Sequence, residues 1–396
     1  MYFCILFGIF IQNEPIYMAD IKVIPVYKKK DITKFVKFHN DLYADCPYAV
    51  PELYMDQYNT LGAKNAARDF CDAQLFLAYR DDKIVGRVVA IINRKANETW
   101  NRKCVRFGWI DFIDDDEVSK ALLDTVEQWG KERGMEEIQG PLGFTDMDPE
   151  GMLYEGQEEL GTMVTIYNYK YYMDHMERHG YEKDVDWIEW RLIVPRETGV
   201  PERLLKVSSI VEKKYGAQIV KFKKAKQIAK TYGREIFDVI NAAFAPLFGY
   251  SELTDRQKDQ YVKMYLSIVD PKLVSTIADK DGKLIGVGIC MPSLSEALQK
   301  CKGKLFPFGW YHLLKALKWK HANHLEMLLI AVRPEWQSKG VNALFFKDLL
   351  PYFISEGYEW CETSVELERN SKVQSQWIYF DGRIHKRRRC WKKSIK

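Results

Sequence analysis

The chain has 396 residues, 47% hydrophobic and 29% charged, with a net charge of +4 at pH 7. That length exceeds one ordinary core and predicts two domains. The composition excludes a disordered or fibrous chain, and the mild charge does not by itself announce a nucleic-acid binder.

The N-terminal apolar run MYFCILFGIFIQ is far short of the ~20 residues needed to span a bilayer, and it lacks a basic flank or a small-residue cleavage site. Met18 opens a more ordinary start, so residues 1–17 are expected to be an extension from an upstream start codon or an apolar arm packed on the fold.

Further along, LFLAYRDDKIVGRVVAII (75–92) and LVSTIADKDGKLIGVGIC (273–290) both read as β-hairpins, with β-branched runs flanking Asp-rich turns. They lie 200 residues apart, which marks a repeat. Each is followed by an apolar strand and an amphipathic helix closed by glycine: EVSKALLDTVEQWGKERG (117–134) and VNALFFKDLLPYFISEG (341–357). Final strands are expected near 177–194 and 379–395. The predicted organisation is an extension (1–17), a first lobe (18–196), a linker helix (197–217) and a second lobe (218–396). Each lobe carries its own insert, PLGFTDMDPEGMLYEGQEELG in the first and SLSEALQKCKGKLFPFGWYHLLKALKWK in the second.

In the second lobe Gln337, Ser338, Lys339, Gly340, Val341 and Asn342 sit between a strand and a helix. A strand breaking into a glycine-bearing turn and then a helix points N–H groups outward and adds the helix dipole, so it suits a phosphate. The same place in the first lobe is Asp114-Asp115-Asp116-Glu117, which suits a helix start but repels a phosphate.

The turn resembles the Q/R-x-x-G-x-G/A signature of GNAT acyltransferases, with Asn342 where the family has Gly or Ala. Around it, strand, hairpin, strand, turn, helix, strand, helix, strand is the GNAT order. Over residues 20–395 the chain resembles a YghO-like family of two-lobed GNAT proteins, acyl-CoA N-acyltransferases. The resemblance is densest in GPLGFTDMDPEGMLYEG, VRPEWQSKGVNALFF and ELERNSKVQSQWIYFDGRIHKRRR. It implies an α/β fold of tandem GNAT-like units, each a mixed twisted sheet flanked by helices. It also implies an acyl donor, acetyl-CoA or a longer acyl-CoA, bound by the second lobe, and a small-molecule amine acceptor. By the same resemblance, a backbone N–H near Ile330 or Val332 would polarise the thioester carbonyl, and Glu326 would be the base or merely an exposed strand carboxylate. The signature Asn falls on Asn370, but its partner position, usually Tyr, is Trp377. Tyr379 is then the nearest substitute for the general acid, or part of the core. The alternative function is a non-catalytic binder of acyl-CoA or an acidic ligand that has lost that acid.

Asp146, Asp148, Glu150 and Glu155 in the first insert are candidates for receiving a cationic amine; a loop this acidic can also be only solvated. Residues 303–320 mix aromatics with lysines, which fits a membrane-surface contact, an acyl-chain cover or a helix packed on the core. The basic tail 383–396 could place charges beside phosphates, but no nucleic-acid recognition module accompanies it. No metal site is expected, since His321 and His324 have no spaced partners. Eight scattered cysteines predict reduced thiols and a cytoplasmic protein.

Overall fold

The computed structural model describes residues 20–266, 269–319 and 321–396; the expected extension lies outside them. In the first half β1 (Ile21–Val26) precedes α1 (Lys29–Leu42), α2 (Tyr54–Leu61) and the hairpin β2 (Cys71–Arg80) with β3 (Lys83–Asn93). A short α3 (Arg94–Thr99) leads to β4 (Cys104–Phe112), α4 (Asp116–Lys131), β5 (Glu137–Gly140), β6 (Met152–Glu155), α5 (Tyr171–Arg178) and β7 (Glu182–Ile193). After α6 (Glu202–Tyr215) the plan repeats. β8 (Gln218–Val220), α7 (Ala225–Phe244) and α8 (Asp255–Met264) precede the hairpin β9 (Val274–Ala278) with β10 (Leu284–Pro292). The insert forms α9 (Ser295–Cys301) and α10 (Gly309–Lys318). Then come β11 (His324–Val332), α11 (Asn342–Ser355), β12 (Trp360–Thr363), β13 (Glu366–Leu367), α12 (Ser371–Gln374) and β14 (Gly382–Ser394).

The strands form one continuous mixed sheet in the order β1-β2-β3-β4-β5-β14-β7-β12-β11-β10-β9-β8, with β6 on β14 and β13 on β7. The last strand of each half is therefore exchanged: β14 pairs with β5 of the first half, and β7 with β12 of the second. Charge explains why these two long strands meet at the centre. β7 carries Glu182, Asp186 and Glu189, and β14 answers with Lys392, Arg389 and Arg388 across the ladder. Opposite charges on facing strands favour this pairing. The basic tail is thus ion-paired inside the sheet rather than solvated or aimed at a phosphate.

Helices cover both faces. Val118, Leu122, Leu123 and Val126 of α4 pack on the first-half sheet, and Ile228, Ile236, Val239 and Ile240 of α7 on the second. In each half the middle parallel pair runs together for only a few residues. β4 and β5 part after Arg106↔Gln139, and β11 and β12 after Met327↔Thr363. A bulge sits beside each opening. Leu328 is the extra residue in β11, where Ile289 pairs with Leu329 but Cys290 with Met327. In β4, Trp109 takes a φ of 46° at the matching irregularity. Bulges that spread a ladder next to a cleft re-aim backbone and side chains into it.

Candidate active site

At the end of β11 the chain makes one 3-10 turn and then a loop in which Ser338 (φ 62°) and Gly340 (φ 84°) are left-handed. Among the described residues no hydrogen bond uses the backbone N–H groups of Ser338, Lys339, Gly340, Val341 or Asn342. Five consecutive free donors precede a 14-residue helix, an arrangement of the kind that suits an anion. Gln337 fastens this turn to the strand by donating from Nε2 to Val332 O (3.1 Å). From the other side α6 buttresses it: a Cβ at Gly340 would stand 2.7 Å from Val207 Cγ1, and Tyr215 packs on Trp336. Lys339 lies over the Trp336 ring, its Nζ 4.7 Å from the centroid, which leaves a cation beside the free N–H groups.

The first half closes the equivalent position with its own carboxylate. Asp115 caps α4 by accepting from the Glu117 and Val118 N–H groups, and Arg80 pairs with it at 2.7 Å. Burial alone would raise Asp115, but the Arg80 hydrogen bond outweighs it and holds the group below its usual range. The anion place of this half is taken.

Back along β11, the opening between the strands is floored by two carboxylates in register, Glu326 and Glu362. Both are 2% exposed, and their surroundings drive them apart. Burial would raise Glu362, yet Lys386 and His385 hold it well below the carboxylate range; Lys386 Nζ donates directly to it. Glu326 has no such partner, and both its oxygens lack a hydrogen bond. Burial raises it to about 7, an effect that Ser293, outside hydrogen-bonding geometry, offsets only in part. One carboxylate fixed as an anion beside another poised near neutrality is the usual division between an electrostatic partner and a base. The equivalent in-register pair of the first half is Arg106 and Gln139, so that half has no base here.

Glu326 and Glu362 line a small cavity of about 10 Å³ with Met327, Leu328, Thr363 and Ser364, room for about one water. Its remaining wall is the first-half loop carrying Thr162 and Thr165, which also borders a second cavity of about 60 Å³. That second cavity is lined by Val50, Leu53, Trp109 and Met163, with Arg87, Glu52 and Asp111 at its base. The loop is held by the exchanged strand: Lys386 Nζ donates to Leu160 O (2.7 Å) and Arg388 to Ile166 O. Arg333 N–H donates to Ile285 O on β10, so strand alternation turns the N–H groups of Ile330 and Val332 toward the open side.

Of the other sequence candidates, Asp146, Asp148 and Glu150 are half-buried on the first-half insert, Asp146 accepting from Ser251 N–H and Asp148 from Thr145 N–H, and none of them lines the Glu326 cavity; Met147 packs against the same core cluster as Leu328 and Leu329. Burial raises all three carboxyls, Asp148 to about 7. Glu155 points elsewhere and pairs with Arg387 at 3.0 Å. Asn370 caps the one-turn α12 through Val373 N–H. Tyr379 packs with the α11 cluster, under the Arg203 guanidinium at 5.4 Å, and is not among the walls of the Glu326 cavity. Glu326 is a buried carboxylate, not an exposed one. Sequence reasoning missed Glu362, Lys386, Thr162 and Thr165; only Glu362 left a trace, in a strand that follows the helix just as its partner precedes it.

His321 and His324 stack on Tyr358 and Trp360 instead of meeting at a ligand. Among the described residues Asp116, His175 and His179 bring potential ligand atoms within 4.8 Å of one another. There Arg178 pairs with Asp116, and Ser119 Oγ bonds both imidazoles (2.7 and 2.8 Å).

A tandem GNAT protein from the clavulanic acid biosynthesis pathway superposes with a TM-score of 0.56 at 10% identity, covering 95% of this chain and 99% of that one. The fold is that of a tandem GNAT protein. In sequence, the chain is 29% identical over 376 residues to Protein YghO of Escherichia coli (strain K12), covering 93% of this chain and 94% of that protein. It is 27% identical over 388 residues to the bacterial ceramide synthase of Caulobacter vibrioides, covering 95% and 98%. No family model matches the sequence.

Proposed function

We propose that the protein transfers an acyl group, acetyl or longer, from an acyl-CoA to the amine of a small-molecule acceptor. The observation that carries this reading is Glu326: a buried carboxylate without a partner, poised near neutrality at the opening of the strand that leads to five free N–H groups. From Glu326 to Val332 the strand runs six residues, about 20 Å at ~3.3 Å each, a span suited to the extended pantetheine arm of coenzyme A. Ser338 to Asn342 would hold the diphosphate and Lys339 would neutralise it. On that span the thioester would lie beside Glu326, so the outward N–H groups of Ile330 and Val332, about 13 and 20 Å further along the strand, would bind the pantetheine arm and not the thioester carbonyl. Glu326 takes a proton from the attacking amine, directly or through one water. The C–N bond forms, the C–S bond breaks, and the thiolate leaves to be protonated.

The acceptor would enter from the first half, where an arriving cationic amine would draw Asp146, Asp148 and Glu150, all raised by burial, into their charged forms. A relative named for ceramide synthesis adds long-chain amino alcohols to the acceptors worth testing. Reduced cysteines, with no disulfide among the described residues, fit a cytoplasmic setting.

A thiol-release assay with acetyl- and long-chain acyl-CoA against a panel of amines tests the reading, alongside calorimetric binding of CoA. Turnover that disappears in Glu326→Gln while CoA affinity stays within threefold supports it. The second reading, a non-catalytic acyl-CoA binder, draws on Tyr379 lying outside the Glu326 cavity; it wins if CoA binds and no acceptor turns over.

A further inference from the structure

We propose that the face formed by residues 302–319 docks on the surface of an anionic lipid bilayer. From Ala297 to Leu325 there is no Asp or Glu, while six lysines (300, 302, 304, 315, 318, 320) fall in the same stretch. The whole chain carries +4, so with these six set aside the remainder carries −2. The positive charge is therefore concentrated on one insert.

The structure gives that insert two faces. Leu313, Ala316 and Leu317 of α10 turn inward onto the cluster of Met291, Leu294 and Leu298, against which Val50, Leu53 and Leu328 also pack. Outward stand Phe306 (73% exposed), Phe308 (72%), Trp319 (64%), Trp310 (46%) and Tyr311 (43%). Trp310 and Trp319 both touch the Tyr311 ring, at 6.3 and 6.1 Å between centroids, so the rings form a continuous patch. The other large exposed hydrophobics are spread through the chain, which makes this cluster the exception. Lys302, Lys304, Lys315 and Lys318 are exposed around it, and no ion pair among the described residues involves them.

Aromatic rings ringed by unpaired lysines, with no carboxylate in between, suit the headgroup layer, where Trp and Tyr rest and Lys meets anionic lipid. A protein partner would ordinarily call for some acid on this face, and there is none between Ala297 and Leu325. Among the described residues no helix is long and apolar enough to cross a membrane, and α10, at ten residues, would lie along the surface. The cluster beneath the docked face also borders both cavities: of the residues packed on it, Val50 and Leu53 line the larger and Leu328 the smaller. If the acyl-transfer reading holds, chains could pass between bilayer and cleft without crossing water.

Co-sedimentation of the full chain with vesicles of phosphatidylcholine alone and with 30% phosphatidylglycerol tests this. Expected are at least tenfold tighter partition onto the anionic vesicles, weakening with salt, and about tenfold loss in both F306S/F308S/W310S/W319S and K302Q/K304Q/K315Q/K318Q. Three results would overturn it: equal partition onto both vesicles, wild-type-like partition of both variants, or binding that vanishes on removing residues 1–17 but not in the patch variants. A concentration-dependent dimer dissolved by the aromatic variant would assign the face to a second copy instead. Calorimetric CoA binding separates the two proposals: its failure in wild type removes the acyl-CoA reading and leaves vesicle binding standing, while its retention in the variants shows they are folded.

Discussion

Replacing Glu326 by Gln should lower activity and raise stability together. The carboxyl lies at about 7 in the folded protein against 4.5 for a free side chain, a difference of about 2.5 units. At 1.36 kcal/mol per unit, keeping this buried group ionised costs folding about 3 kcal/mol. The sign follows from proton binding. Between pH 4.5 and 7 the folded chain holds the proton and the unfolded chain does not, so stability falls across that window and is level above it. Gln is neutral throughout, so E326Q should be more stable than wild type at pH 8, by up to about 3 kcal/mol in urea titrations, and nearly equal to it at pH 4.5. Activity should move the other way, by the 10²- to 10⁴-fold that a positioned base supplies. The pH profile separates a base from a mere structural group. The acceptor amine must also lose a proton, so log kcat/KM should climb with slope two below pH 7 and slope one above it. In E326Q, slope one should hold throughout. A variant within threefold of wild type, or a wild-type profile with no break near pH 7, refutes the assignment.

Gly340→Ala should raise the Kd for CoA about tenfold and lower Tm, because a left-handed alanine costs ~1–2 kcal/mol and its Cβ would meet Val207 Cγ1 at 2.7 Å; calorimetry and a melt check both. Lys386→Met leaves Glu362 charged and buried, so denaturant titration should show a loss of ~3–5 kcal/mol at pH 7, most of it recovered in K386M/E362Q. Asp148→Asn with Glu150→Gln should raise KM for the amine at least fivefold while leaving CoA affinity unchanged; equal loss of both would mean the loop serves folding alone.

How much of this was legible in the sequence differs by element. The hairpins, the helices after them and the 200-residue repeat could be read because alternation and 3.6-residue spacing are local signals. The turn at 337–342 could be read for the same reason, since a strand end, a glycine and a helix start are adjacent in the chain. The neutrality of Glu326 could not. It depends on which of two carboxylates meets Lys386, and that lysine comes from a strand 60 residues later. The acidic loop was legible as composition, but the burial that raises its carboxyls comes only with the folded chain.

The exchange of final strands links these points. In an unexchanged repeat, β14 would end the second sheet and β7 the first, and the ion pairs that now run between the two strands would be lost. Exchange places Lys386 and Arg388 in the centre, where they bind Glu362 and Glu189 and hold the loop from Leu160 to Ile166 by its carbonyls. That loop walls the Glu326 cavity with Thr162 and Thr165. The basic segment that resembled a phosphate or nucleic-acid contact therefore acts at one remove. It fixes one carboxylate as an anion, leaves its neighbour free to take a proton, and brings the first half, which has filled its own anion site with Asp115, into the wall of the only opening that pairs a free helix N-terminus with an unpaired acid among the described residues.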